Sequence, residues 1–377
     1  MTQRCFNIID SVKGGSGKTS LSLMLTLAAQ RYMQKENPTA DAGKIRHSLL
    51  MDMDMQGSSL AYLLFENSKA DQDGGNESNR APCTLNDAIL RYYRRKAPQF
   101  ISTPEFFFSN DLGGVPSNPE EPTEGGETPK NSYKIAVALA STKMLERDRF
   151  RAVSRMNYSS QITYDAFGAG LRAVLKASNL NSYLPDRLEY VFFDMPPNSN
   201  GYSDCVLDLL LSGAQEKPTI DLEYPRNYFE LMTLDCGHIS ATLDWFEQFV
   251  TQGQYRFPDH FFFVFNNVPP NISRMEYNEA ENHFNDVYLR EAVAMIQERL
   301  NILKLVDSDC NRIYFVGVSY QEEYLKRCCS AGSLLSSVSS GQLSTEMLTP
   351  IKFLMSMDGK YSADCTDELL KLMCTSE

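Results

Sequence analysis

The chain has no apolar run approaching the length a membrane-spanning helix needs, so no transmembrane segment is expected. Its start lacks a signal-peptide layout, because Lys13 and the glycines that follow interrupt the apolar stretch too early. Nine cysteines are present, but none forms a C-x-x-C pair, and the one adjacent pair is Cys328-Cys329. An odd count without metal-ligand spacing reads as reduced thiols of a cytoplasmic protein. Histidine is scarce: His47, His238, His260 and His283 lie far apart, which reads as ordinary surface or core imidazoles rather than a zinc site. The single tryptophan, Trp245, reads as a packing residue. Basic charge is also short, with 36 lysines and arginines against 48 acids and a net charge of −12. That argues against attachment to nucleic acid through the whole surface. The densest basic cluster, Arg91-Tyr92-Tyr93-Arg94-Arg95-Lys96, reads as the solvated end of a helix.

What the chain does have is the octet Lys13-Gly14-Gly15-Ser16-Gly17-Lys18-Thr19-Ser20. An apolar stretch with Phe6, Ile8 and Ile9 precedes it, and a helical pattern from Leu21 to Ala29 follows. Strand, glycine loop, helix is the setting of a phosphate loop. Glycines let the backbone curl so that its N–H groups face phosphate oxygens, and the helix adds its positive end. Lys18 suits the β- and γ-phosphates, and the Thr19 hydroxyl suits Mg²⁺. The octet departs from G-x-x-x-x-G-K-[ST] at the first glycine, where Val12 stands. It fits a deviant form, K-G-G-x-G-K-[ST], with a second lysine at its start.

Further along, apolar runs and helical patterns alternate. Strands are predicted over 45–53, 134–140, 190–194, 261–265 and 312–317, with helices over 85–95, 167–177, 203–212, 226–250 and 276–300. Residues 66–83 and 109–132 lack a core-forming pattern and read as surface loop. The predicted fold is α/β: a mostly parallel twisted sheet with helices on both faces, of the P-loop NTPase type. We expect one domain over 1–340, interrupted by an acidic, partly disordered insertion around 64–133, and a helical tail over 341–377.

In such sheets ligands sit at the carboxyl ends of the strands. Four clusters would converge there: the 13–19 loop, Asp52 with Asp54, Asp194, and Asn266 with Asn267. Asp194 suits a magnesium-bound nucleotide, and Asp52 and Asp54, on one face of an extended segment, suit the metal's water shell or an attacking water. Asn266 and Asn267 offer donors and acceptors for an adenine edge, or serve as turn formers. Lys13 would duplicate Lys18 if it faced its own nucleotide. Reaching a partner's phosphates, as an arginine finger does, is the other geometry the sequence permits.

Three motifs in order resemble the ParA/MinD family of deviant Walker-A ATPases, and the ParA branch most. They are the octet, Asp52-Met53-Asp54-Met55-Gln56-Gly57-Ser58, similar to the family's D-x-D-P-Q-G with Met55 in place of proline, and Asp194-Met195-Pro196-Pro197, similar to its Walker B segment. Weaker echoes are Ala138–Ser141 and Ile313–Ser333. The resemblance implies a cytoplasmic ATPase that binds ATP and Mg²⁺ in a nucleotide-sandwich homodimer. Carried over by position, Lys13 reaches across the dimer, Lys18 and the amides of residues 15–19 bind phosphates, and Thr19 ligates the metal. Asp54 then positions water, Asp52 and Asp194 support the metal, and Asn266 contacts the base. Such proteins segregate or position cargo, either plasmid or chromosome DNA or a protein assembly. The ATP-bound dimer binds a matrix, non-specific DNA among them, and a ParB-like or cargo-adaptor protein stimulates hydrolysis.

Some features depart from the family. The C-terminal strand continues as Val316-Gly317-Val318-Ser319 where a proline-containing segment is usual, and residues 341–377 carry six acidic and three basic side chains. Asp367–Met373 is apolar on one side but acidic, which reads as a packing helix rather than a membrane anchor. Competing functions are a metabolic ligase or kinase of the same superfamily, with 109–132 as a lid, and a non-hydrolysing nucleotide-binding adaptor.

Overall fold

The computed structural model of the chain describes residues 5–36, 46–54, 108–110, 133–138, 165, 168, 187–196, 201–211, 224–252, 255–268, 277–278, 283–305, 307–319, 350–363 and 365–375. In chain order the elements are β1 (Cys5–Asp10), α1 (Lys18–Glu36), β2 (Arg46–Asp52), β3 (Phe108–Asn110), β4 (Tyr133–Ala138) and β5 (Arg187–Asp194). There follow α2 (Gly201–Leu211), β6 (Arg226–Met232), α3 (Cys236–Thr251), β7 (His260–Asn266), β8 (Tyr277–Asn278) and β9 (His283–Phe284). The chain continues with α4 (Val287–Leu303), α5 (Asp307–Cys310), β10 (Ile313–Val318), β11 (Ile351–Ser356), β12 (Tyr361–Ala363) and α6 (Thr366–Met373).

Ten strands make one sheet in the order β12-β11-β10-β7-β6-β1-β5-β2-β4-β3. From β10 to β4 every pair is parallel. β3, β11 and β12 join as antiparallel edges, and β8 pairs with β9 apart from the main sheet. β1 lies in the middle, between β5 and β6, so the loop leaving it opens at the centre of the sheet.

The strands are apolar on both faces because both are covered. Successive residues alternate between two cores. Phe6, Ile8, Leu49, Met51, Val191, Phe193, Phe261, Phe263 and Phe265 pack with the buried residues of α2, α3 and α4. Cys5, Ile9, Leu50, Tyr190, Phe192, Phe262 and Val264 pack with those of α1 and α6. Each fully buried Phe contributes about 1.5–3 kcal/mol. Trp245, on α3, is a packing residue as expected: its ring stacks 5.3 Å from Tyr228, which also stacks 5.3 Å from Phe261. Helix starts are set by side chains. Asp235 accepts from His238 N at the start of α3, and Asp286 accepts from Leu289 N at the start of α4.

The expected α/β sheet with helices on both faces is what forms, with differences in its parts. Residues 226–250, expected as one helix, are strand β6 followed by α3. The helix expected from 276 starts at Val287, after the small β8–β9 pair. Among the described residues, the tail expected to be helical contributes two strands, β11 and β12, before the helix α6. Most of the 64–133 insertion lies outside the described residues, as do the basic cluster 91–96, Met55–Ser58 and the Cys328-Cys329 pair, while β3 belongs to the sheet. Of the helix expected over 167–177, Gly168 alone is described, and it is helical.

Candidate functional site

The loop that follows β1 turns tightly. Gly15 and Gly17 have φ of 74° and 93°, a left-handed backbone that L side chains rarely adopt. Around Gly15 the space is open, so its constraint is conformational. At Gly17 an added Cβ would also run into the Asn266 side-chain amide and lie 3.2 Å from its Cγ. Asn266 Nδ2 donates to the Ser16 carbonyl. The amide expected to meet a base therefore ties the loop to the end of β7, and its Oδ1 is buried with no hydrogen-bond partner. Asn267, next to it, is exposed and left-handed at φ 62°. Gly14 and Ser20 lie in the same turn and first helical turn, and the Ser16 hydroxyl is buried and unpartnered.

Helix α1 begins at Lys18, with Leu21 N donating to Gly17 O at 2.9 Å. Lys18 is buried, 6% exposed, and its charge acts on Asp10, Asp194 and Glu230. Asp194 ends β5 and receives hydrogen bonds from the Thr19 hydroxyl and, at 3.3 Å, from the Ser22 hydroxyl. Burial pushes its carboxyl up to about 7 against the pull of those bonds and of Lys18, and the Asp54 charge adds to the rise. Asp52 ends β2 as the register partner of Asp194, and Met53 N donates to Asp194 O at 2.9 Å. Asp52 is buried and accepts from Asp54 N at 3.1 Å, while Asp54 is half-buried. The structure thus brings Lys18, Thr19, Asp52, Asp54 and Asp194 together, as the sequence led us to expect. Among the described residues no group of three or more His, Cys, Asp or Glu side chains is arranged to hold a metal ion by itself. Asp194 beside the Thr19 hydroxyl offers oxygen donors to which a hard divalent cation would have to add ligands from elsewhere, phosphate oxygens among them.

Lys13 sits elsewhere. Its side chain is 45% exposed, and Nζ lies 3.7 Å from Asp235 Oδ1, the oxygen that also caps α3. His238, in the first turn of α3, connects this segment to the loop. Its Nδ1 accepts from Thr233 N at 3.2 Å, which leaves Nε2–H to face Ser11 Oγ at 3.3 Å. Ser11 Oγ in turn donates to Leu231 O at 2.7 Å. Burial first, and the Lys13 charge second, hold this imidazole below its usual range.

Sequence reading missed two acids at the root of the loop. Asp10 ends β1 and Glu230 lies on β6, and the two are register partners. Asp10 showed itself only as the polar end of an apolar run. Glu230 was hidden in a segment expected to be helical.

No family model and no curated protein matches the chain. Solved structures similar to it include a plasmid partition protein from Borrelia burgdorferi, 13% identical, TM-score 0.41, with 90% of this chain and 97% of that chain covered. The cell division ATPase MinD of Pyrococcus furiosus is 11% identical, TM-score 0.40, with 91% and 98% covered. A nucleotide-binding protein from Archaeoglobus fulgidus, in complex with ADP, is 13% identical, TM-score 0.34, with 88% and 87% covered. These three are a partition protein, a cell division ATPase and a nucleotide-binding protein. The fold itself is seen in the strand order and in the glycine turn between β1 and α1.

Proposed function

We propose that the chain is a ParA-like, magnesium-dependent ATPase that acts as a nucleotide-sandwich dimer to segregate or position cargo in the cytoplasm. One observation carries the reading. A single glycine loop holds two lysines in opposite settings: Lys18 buried against the Asp194 cluster, and Lys13 at the surface, 45% exposed. A lysine that lies outside its own site, beside Asp235, supports a role on another molecule's phosphates.

In this reading the amides of residues 14–19 and Lys18 bind the phosphates. Thr19 and Asp194 hold the metal, with Asp52 behind them. Magnesium, when bound, offsets charge on the β- and γ-phosphate oxygens. Asp54 orients the attacking water. Lys13 of the second copy stabilises charge on the transferred group, as an arginine finger does. Asn266 keeps the loop in shape, and Asn267 is left for the base. An activating protein stimulates hydrolysis, and the matrix is DNA or a protein assembly.

The two lysines separate in a direct test. Lys18→Ala should lose MgATP binding. Lys13→Ala should keep binding and lose both dimerisation and hydrolysis. A Lys13→Ala protein that dimerises and turns over like the wild type rules out the trans role. DNA retention measured with ATP, ADP and no nucleotide, at stated salt, decides the matrix.

A further inference from the structure

The root of the loop is held by acids rather than by hydrophobic packing. Asp10 Oδ1 accepts from Ser11 N at 2.7 Å, and its Oδ2 accepts from Tyr228 OH at 2.9 Å. Glu230 Oε1 accepts from Val12 N at 3.0 Å. The first two peptide N–H groups after β1 thus end on two carboxylates. Lys13 is the next residue. Ser11 is fixed a third way, through its hydroxyl to Leu231 O and His238.

These acids face each other across adjacent strands, which lie about 4.8 Å apart. Glu230 is 1% exposed. Among the described residues neither makes an ion pair. The charged and titratable groups that face them are Lys18 from the start of α1, Asp204 from α2, and Tyr228 on β6. Lys18 is the one cation in that group, and it also serves Asp194. Two ionised carboxylates at this spacing, away from water, repel strongly.

Resting on the reading of residues 13–20 as a triphosphate loop, we infer that Asp10 and Glu230 are positioning residues of this site. They form one clamp, with one negative charge between them, that fixes the first turn of the loop and so where Lys13 emerges. Burial holds both carboxyls above the usual range, and the Asp10 charge raises Glu230 further. With one proton, the pair accepts both loop N–H groups without mutual repulsion. When that proton leaves at high pH, the carboxylates push apart and the loop loses its anchor. A nucleotide adds more negative charge nearby, so its binding favours the protonated pair.

The test is calorimetric titration of the full chain with MgATP from about pH 7 to about pH 10, on the wild type, Glu230→Gln and Glu230→Ala. The wild type should lose affinity as the pH rises. Glu230→Ala should bind about tenfold more weakly throughout, the size of one lost buried hydrogen bond. Glu230→Gln keeps an acceptor for Val12 N–H and carries no charge, so it should restore most of the affinity and flatten the alkaline fall. Glu230→Ala binding like the wild type overturns the clamp, and so does Glu230→Gln following the wild-type fall. A second readout needs no nucleotide: hydrogen exchange over residues 10–18 should quicken in Glu230→Ala and not in Glu230→Gln, and equal exchange in all three proteins overturns it too. If Glu230→Ala does not fold, Asp10→Asn takes its place, with faster exchange expected at Ser11. A wild type that binds no MgATP at any pH defeats the phosphate-loop reading, and the exchange measurement still decides the clamp.

Discussion

Replacing Asp194 by Asn should make the nucleotide-free protein more stable at pH 8 while it removes magnesium-dependent hydrolysis. The carboxyl is buried, and burial moves it from 3.8 to about 7. Because the folded-state value is raised, the proton is retained in the fold and lost from the unfolded chain. The group is therefore neutral and harmless below about pH 4. Its stability contribution falls as the pH climbs, and the loss is complete once the pH has passed about 7. The full difference is about 4 kcal/mol, since each tenfold change is about 1.4 kcal/mol. The substituted amide still offers Ser22 an acceptor, and its N–H can donate to Thr19. Allowing for imperfect bonds, we expect a gain of about 2–3 kcal/mol at pH 8. At pH 5 the folded carboxyl is protonated and only about 1.7 kcal/mol of the cost has accrued, which the imperfect bonds of the amide offset, so the gain should fall close to zero. Urea denaturation of both proteins at the two pH values, without nucleotide, measures this. The same proteins with MgATP should reverse order, because binding stabilises the wild type and leaves the Asp194→Asn protein nearly unchanged. An Asp194→Asn protein no more stable than the wild type at pH 8, or equally stabilised at both pH values, refutes the reasoning.

Three other substitutions follow from the same contacts. Gly17→Ala forces a side chain into a left-handed position against Asn266, so MgATP binding measured by calorimetry should be abolished, with a stability loss of about 1–3 kcal/mol. Gly317→Ala would place a methyl group inside the ring of Phe353, its partner across β10 and β11, 2.8 Å from Cζ; urea denaturation should show a loss of about 1–3 kcal/mol. Asp235→Ala removes the cap of α3 and the anion beside Lys13, so stability should drop by about 1 kcal/mol while MgATP affinity is kept.

Most of the sheet was legible because its strands are apolar on both faces. Phe261–Phe265 needs no alternation to be seen. β6 was not legible because its polar residues are buried in pairs. Asn227 Nδ2 donates to Asn7 Oδ1 at 2.8 Å and to Met373 O at 2.9 Å, and Glu230 holds Val12 N. Such residues break an apolar run without being exposed, and their partners lie far away in the chain. β11 was missed for a different reason. As a strand near the edge it alternates, with Ile351, Phe353 and Met355 buried and Lys352, Leu354 and Ser356 half-buried, and the adjoining helix dominated the pattern. At the site, the loop, Thr19 and the strand-end acids were readable from residue type and spacing. Asn266 was placed at the right strand end, but which way its amide turns depends on the loop it meets. The Asp10–Glu230 pair could not be read, because it exists only once β1 and β6 are in register.

Sedimentation velocity, followed at wavelengths that separate protein from nucleotide, tests the central claim most directly. With a slowly hydrolysed MgATP analogue, the account predicts a boundary near twice the 42.6 kDa chain mass that carries nucleotide with it. Well-folded protein that sediments at the mass of one chain, with the nucleotide left behind at millimolar concentration, contradicts it.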